Sequence, residues 1–484
     1  MKTLKILSMA VLTFFLWGCS EDIMDEINRD RNNAQEVDAF AILPDVILNT
    51  AFTATATDLA WFSSKFIEHS AGQWAQSHDA DRRIGLDVTS QWNNHWNGMY
   101  DILNMLGIMK EKTSPGGEEE HNIQALGLAQ ILTAYNLAVL TDFWGDVPWS
   151  EAVQGAGFMK PKFDKQSAIY PDIFTLLDDG IANLQAAAAD PDAPNASLFD
   201  YIYSGNNQAW IRAAYSLKAR YHMRLSERDN NAASAALTAI ANGFQNATQS
   251  FLFAKYEPTL IAENPWYQFK FQRSHLAVSS TLFNLMDDRN DPRMEIWFSK
   301  LGDPPAFNPA PPGEADRVQG GTYSESLVTY NPDNIPGSRT RPTPMMTYHE
   351  LLFIRAEALH RTGGDFTAAL QDALRASFEF HGLTAAEADA YFAADVQPRL
   401  AANAFNEIMT QKYIAMFEHE ASEAYHDYRR VRIPTLHNPA NATIGFPERN
   451  QYGLSEESNN PDNFIEVDIY TQPVWWAGGA ELAP

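Results

Sequence analysis

Residues 348–382 read "YHELLFIRAEALHRTGGDFTAALQDALRASFEFHG", and this stretch decides the fold class. Its first half has the composition and spacing of a helix running to about Arg361. Gly363 and Gly364 end that helix, since glycine tolerates the left-handed turn that closes one. Asp365 has the side chain to cap the next, which the pattern places over Phe366 to Phe380. The expectation is therefore a helical hairpin. Ala356, Ala358, Gly364, Ala368 and Ala369 are small enough to let its two arms approach closely.

That combination resembles the helix pairs of tetratricopeptide repeats. The flanks extend it. Thr384 with Glu387 makes a capping box for a further helix, and a long helix is expected from about Ala404 to Arg430. Upstream, "HNIQALGLAQILTAYNLAVLTDFWGDVPWSEA" (121–152) is apolar nearly all round from Ala125 to Leu140, as a helix buried on several sides should be. The pattern stops at Asp142, and Phe143 to Trp149 reads as a Gly- and Pro-bearing connector. The fold class expected is mostly α: tetratricopeptide-like helix pairs with an irregular, loop-rich lobe. The lobe is "LGDPPAFNPAPPGEADRVQGGTYSESLVTYNPDNIPGSRTRPTP" (301–344), an excursion too long for an idle loop.

The N-terminus has a different logic. Lys2 and Lys5 precede an almost unbroken apolar run from Ile6 to Trp17, the build of a secretory signal. That run is shorter than the roughly 20 residues a spanning helix needs, and no other apolar stretch is expected to span. Leu16-Trp17-Gly18-Cys19 resembles a lipoprotein cleavage box, though Trp17 is larger than the residue usual there. Cys19 is the only cysteine, so no internal disulfide is available, and a thiol kept for lipidation accounts for it. Residues 19–39 are acidic and polar, as in a flexible tether, and resemble the signal that sends lipoproteins to the outer face of the outer membrane. The expected organisation is a signal peptide over 1–18, a tether over 19–39 and one domain over 40–484. A formal charge of −26 argues against nucleic acid as a partner.

The helix leading into "DFWGDVPW" (142–149), then "NPWYQF" (264–269), "NDPRM" (290–294) and "ELLFIRAEALHRTG" (350–363), occur in an order similar to that of the SusD/RagB family. So do "IMTQKYIAMFEHEASEAYHDYRRVRIP" (408–434) and "PVWWAG" (473–478). "AGQWAQ" (71–76) resembles the SusD-like branch described as starch-binding and associating with the outer membrane. Tyr452-Gly453-Leu454-Ser455-Glu456 departs from the family, which tends to show Tyr-Pro before an acid. The resemblance implies a helical fold with the ligand site on the lobe. It also implies a SusC-type TonB-dependent transporter as partner, and a job of capturing an oligosaccharide, or in some members a peptide, for import.

A sugar ligand needs aromatic faces for its C–H groups and polar side chains for its hydroxyls. Trp74, set between Gln73 and Gln76, is one candidate. Trp266 and Tyr267 follow Asn264-Pro265, Trp297 precedes the lobe, and Tyr323 and Tyr330 lie inside it; all are candidate ligand contacts. Trp92, Trp96 and Tyr100 recur every four residues with Asn93, Asn94 and Asn97 between them, the simpler reading being a buried helix face. Trp144 and Trp149 are read as structural.

An enzyme is the competing class. A helical glycoside hydrolase would need two carboxylates about 6.5–9.5 Å apart if inverting. Asp142, Asp146 and Glu151 are close in sequence, but among 61 acidic residues such clusters arise by chance and serve as caps or solvated groups. His419-Glu420-Ala421-Ser422-Glu423 has Glu where a zincin has its second His. His419, Glu423 and His426 are expected on an exposed polar face, and Arg429 and Arg430 in pairs with acids. No phosphate loop, nucleophile elbow or dinucleotide fingerprint is present. No catalytic residue, metal or cofactor is expected.

Overall fold

Thr347 opens the hairpin by accepting the Glu350 backbone N–H, and the first helix runs Tyr348–Thr362. Gly363 closes it at φ 75°, and Asp365 accepts the Thr367 N–H at the start of Phe366–Phe380. Leu352, Phe353 and Ala356 meet Ala369, Leu370, Ala373 and Leu374 in one buried cluster. Each fully buried leucine or phenylalanine there contributes about 1.5–3 kcal/mol. Thr384 and Glu387 form the capping box of Ala385–Tyr391. A computed structural model describes residues 37–153, 158–259 and 261–484. Residues 1–36, which hold the expected signal peptide, Cys19 and most of the expected tether, lie outside the described residues; Asp38 caps the first described helix, Ala39–Asn49.

The other helices continue the stacking. Ile123–Trp144 packs along Gln166–Ala189, which meets Asn207–Arg224, then Ala232–Ile240, and this last helix meets the hairpin. Two glycines make the first pairing close. A Cβ on Gly127 would lie 2.8 Å from Leu184 Cγ, and one on Gly180 would lie 2.7 Å from Ile131 Cγ1. Ile123–Trp144 is 22 residues long and buried along nearly its whole length. It ends at Gly145 (φ 80°), so Phe143 and Trp144 belong to the helix rather than to the connector. This helix and the Ala39–Phe66 run are long and apolar enough to cross a membrane by length and composition, which corrects the expectation that no such stretch exists. Of the helix Ile123–Trp144, 83% of the apolar window is buried inside the protein, as in a core helix.

The expected helix from Ala404 to Arg430 starts as expected, because Asn403 (φ −161°, ψ 92°) breaks the segment Gln397–Ala415, but it is divided: it ends at Ala415 and a second helix runs Ala421–Val431. Glu418 adopts φ 59° between them. Its carboxylate accepts Lys270 Nζ at 2.9 Å and Thr329 Oγ1 at 2.8 Å. Glu420 accepts the Thr347 N–H at 3.0 Å and Thr347 Oγ1 at 2.9 Å. Turning both carboxylates inward, one to the lobe and one to the hairpin, is incompatible with a continuous helix.

Strands are few and short. Ser70–Gly72 pairs antiparallel with Leu276–Val278, in the register Gly72 opposite Leu276. Phe251–Phe253 pairs with Thr343–Met346, and Val147–Pro148 with Phe163–Asp164. The irregular lobe is ordered against the first of these ladders: Val278 donates to Ser324 O, and Ala310 donates to Val278 O, both at 2.8 Å.

Candidate functional site

The Ser70–Gly72 ladder continues for one more residue, because the Gln73 N–H donates to His275 O at 2.9 Å. Gln73 is fully buried. Its Nε2 donates to Glu325 at 2.9 Å and to Ser274 O at 3.1 Å, and its carbonyl receives the Val318 N–H at 2.8 Å. Three chain segments thus converge on the residue before Trp74. Gln73 is a positioning group, not the free amide the sequence offered to a ligand. Trp74 is extended (φ −147°, ψ 151°) and only half-buried, and no ring stacks on it among the described residues. Gln76, beside it, is exposed.

By the ladder register Trp74 lies across from Ser274, just past the helix Pro265–Arg273. Asn264 caps that helix by accepting the Tyr267 N–H at 3.0 Å, with Pro265 in its first turn. One turn apart, Tyr267 and Phe271 stack with centroids 5.5 Å apart and planes 8° apart. Tyr330, from the lobe, closes a three-ring cluster at 5.8 Å from Tyr267 and 6.1 Å from Phe271. Phe271 is the outward ring, 58% exposed. Tyr267 is covered, and burial together with the nearby Glu263 carboxylate raises its hydroxyl pKa. Phe271 was not among the residues singled out from the sequence, although its four-residue spacing from Tyr267, between Gln268 and Gln272, is a legible signal.

Other candidates belong to the core. Trp266 is 3% exposed and meets Trp61 edge-on at 6.3 Å, against Phe269 and Leu276. Trp297 is 1% exposed, 4.5 Å from the His381 ring and 5.5 Å from Phe417. Tyr323 is buried, and its hydroxyl accepts the Asp316 N–H at 3.0 Å. None of the three offers an exposed ring face, so packing overturns their expected role as stacking platforms. Trp92 and Trp96 are buried and Tyr100 donates to Pro148 O at 2.9 Å, as a buried helix face requires. Trp144 is core, while the half-buried Trp149 donates to Asp172 at 2.9 Å.

The weighed carboxylates are engaged structurally. Asp142 accepts Tyr170 Oη at 2.5 Å and Arg224 Nε at 3.1 Å in the core. Asp146 accepts the Gln166 N–H at 2.8 Å and the Ala483 N–H at 2.7 Å, joining a helix start to the C-terminal segment. Glu151 accepts the Lys162 N–H at 3.0 Å. His419 and His426 are buried and Glu423 is half-buried, not exposed as expected, and no His/Cys/Asp/Glu group able to hold a metal occurs among the described residues. Burial drives both histidines well below the usual imidazole range. Arg430 pairs with Glu357 and Asp427. Arg429 instead donates to the Asp142 and Glu448 carbonyls, with its guanidinium 4.7 Å from the Trp476 ring. Cavities of about 660 and 740 Å³ open elsewhere, beside Arg361 and beside Trp149.

The helix pairs of this chain stack in series and carry an irregular lobe edged by aromatic residues. The chain belongs to the SusD-like family described as "Starch-binding associating with outer membrane", whose model matches residues 31–453. It is similar to a SusD/RagB family protein of Bacteroides thetaiotaomicron, at 34% identity and TM-score 0.83 over 92% of this chain and 100% of that one. A chitin-binding protein (23% identity, TM-score 0.75, 91% and 99% covered) shares the fold. So does a chitin-binding SusD homologue of Flavobacterium johnsoniae (20%, 0.72, 90% and 99%). No curated protein matches the chain.

Proposed function

We propose that the protein is a surface lipoprotein that captures a glycan and hands it, uncleaved, to a SusC-type TonB-dependent outer-membrane transporter. The description of its family as starch-binding and outer-membrane-associated supports this reading, as do the names of its chitin-binding relatives. The observation that carries it is Trp74: a partly exposed ring without an aromatic partner among the described residues, on backbone held by Gln73 against two other segments. A pyranose face settles on such a ring through its C–H groups. Exposed Gln76 and Gln272 are available for hydroxyls, each side-chain amide able both to donate and to accept. Rigid backbone under the ring lowers the ordering cost of binding. Anchoring is assigned to lipid on Cys19, with the body facing the cell exterior.

Calorimetric titration of the mature protein with starch, chitin and other oligosaccharides, alongside peptides, tests the proposal. Heat of binding with at least one oligosaccharide, and no new reducing ends after prolonged incubation, is the expected result. Binding of peptides alone would replace glycan by peptide import. Cleavage abolished by changing one carboxylate would make the protein a hydrolase.

A further inference from the structure

We infer that the captured glycan carries an anionic group, a carboxylate or a sulfate, and that Arg273 determines this specificity. The inference rests on the glycan reading above and narrows it.

Arg273 ends the helix Pro265–Arg273 and is exposed. Ser274 then turns the chain at φ 43°, and the next residues enter the ladder with Ser70–Gly72. Arg273 is therefore one residue from the position facing Trp74. From the other side, Gln319 donates Nε2 to the Arg273 carbonyl at 3.0 Å, so the backbone bearing this side chain is held by the lobe as well.

Its guanidinium has no hydrogen-bond or ion-pair partner among the described residues. The neighbouring arginines are committed. Arg317 pairs with Asp79 at 3.1 Å, Arg339 pairs with Glu263, and Arg82 donates to the Ala315 carbonyl at 2.7 Å. Carboxylates are abundant in this chain, with 61 acidic against 35 basic residues, yet none pairs with Arg273 among the described residues. Local charge agrees. The segments that build this surface (73–83, 254–275 and 316–341) hold eight Lys or Arg against seven Asp or Glu, in a chain of net charge −26. By formal count these segments carry none of the chain's net negative charge.

A guanidinium is a planar fork of donors that meets two oxygens of a carboxylate or sulfate at once, whereas a sugar hydroxyl engages one. Borne on a residue next to the one opposite Trp74, it would select a charged sugar held face-down on that ring. A charge-assisted hydrogen bond contributes about 1.5–3 kcal/mol, which corresponds to roughly ten- to a hundredfold in affinity.

The test uses two matched pairs: oligogalacturonate with its methyl ester, and a sulfated oligosaccharide with its desulfated form. Dissociation constants are measured for wild type, Arg273→Gln and Trp74→Ala, at low and high salt. The expected result is that one charged form binds about tenfold or more tighter than its neutral partner, with a preference that fades at high salt. Arg273→Gln should erase that preference while leaving the melting temperature unchanged. Trp74→Ala should weaken both members of the pair. Which pair responds distinguishes carboxylate from sulfate. Equal binding of charged and neutral forms, or a preference that survives Arg273→Gln, overturns the inference and leaves glycan capture standing. Failure of every oligosaccharide to bind overturns both.

Discussion

Gln73 donates its side-chain amide to the Glu325 carboxylate at 2.9 Å, tying the residue before Trp74 to the irregular lobe. Both partners come from segments far apart in sequence, and the bond sets where the tryptophan stands. Gln73→Ala should lower oligosaccharide affinity without removing any group that touches ligand. It leaves Glu325 short of a donor and should cost about 1–3 kcal/mol of stability. Glu325→Gln, which keeps an acceptor, should retain most of the affinity. Titration and chemical denaturation of the two variants check this; unchanged affinity in Gln73→Ala would remove its positioning role.

Tryptophans should divide into two groups. Trp297→Ala, Trp266→Ala and Trp96→Ala open cavities in packed surroundings and should each cost about 3–5 kcal/mol. Trp74→Ala should cost less than these, since its ring is only partly buried, yet weaken glycan binding. Thermal melts beside titrations separate the groups. Equal destabilisation by all four would place Trp74 in the core with the others.

Arg430 and Glu357 form a buried pair whose side chains are both 0% exposed, with oxygens at 2.5 and 2.7 Å. Removing Glu357 leaves Arg430 only Asp427, at 2.9 Å, to balance its charge in a low-dielectric interior. Glu357→Ala should destabilise by about 3–5 kcal/mol, while replacing both partners by apolar residues of similar volume should cost much less. Urea denaturation of the single and double variants measures the difference.

Acid should weaken the fold before it touches the surface carboxylates. His69 is buried and pushed down to about 3 by burial, its Nε2 on the Tyr413 carbonyl at 2.8 Å. His275 is pushed down to about 4 for the same reason. Each has an ordinary value of 6.5 once unfolded, so the unfolded chain takes up a proton that the native site refuses. Their contribution is complete above pH 6.5 and is lost progressively as pH falls toward those depressed values. Stability should drop by up to about 1.4 kcal/mol per pH unit per group in that window. Denaturation at a series of pH values, with His69→Gln expected to flatten the slope, tests it; a flat profile between pH 7 and about 5 would contradict it.

Cys19→Ala should move the protein from the membrane fraction to the soluble fraction of the cells that export it. Each methylene of a lipid anchor buried in the bilayer contributes about 0.8 kcal/mol, so loss of the chains is decisive. Fractionation and immunoblotting read the outcome, and a variant that remains membrane-bound would show that Cys19 is not the anchor.

The hairpin 348–380, the cap at Asp365 and the capping box at Thr384 could be read from sequence because their causes are local: glycine's backbone freedom, an oxygen near free N–H groups, the spacing of apolar residues. The family could be read for a related reason, since its motifs are continuous stretches. What decided the rest acts between residues distant along the chain. Nothing local to 404–430 announces that Glu418 will leave the helix, because the cations and hydroxyls that draw it inward come from Lys270 and Thr329. Trp74 and Trp297 look equally suited to stack on a sugar until packing leaves one ring partly exposed and encloses the other between His381 and Phe417. Exposure is a property of what surrounds a side chain. Only the tertiary structure could therefore separate the ring that can hold a ligand from the rings that hold the fold.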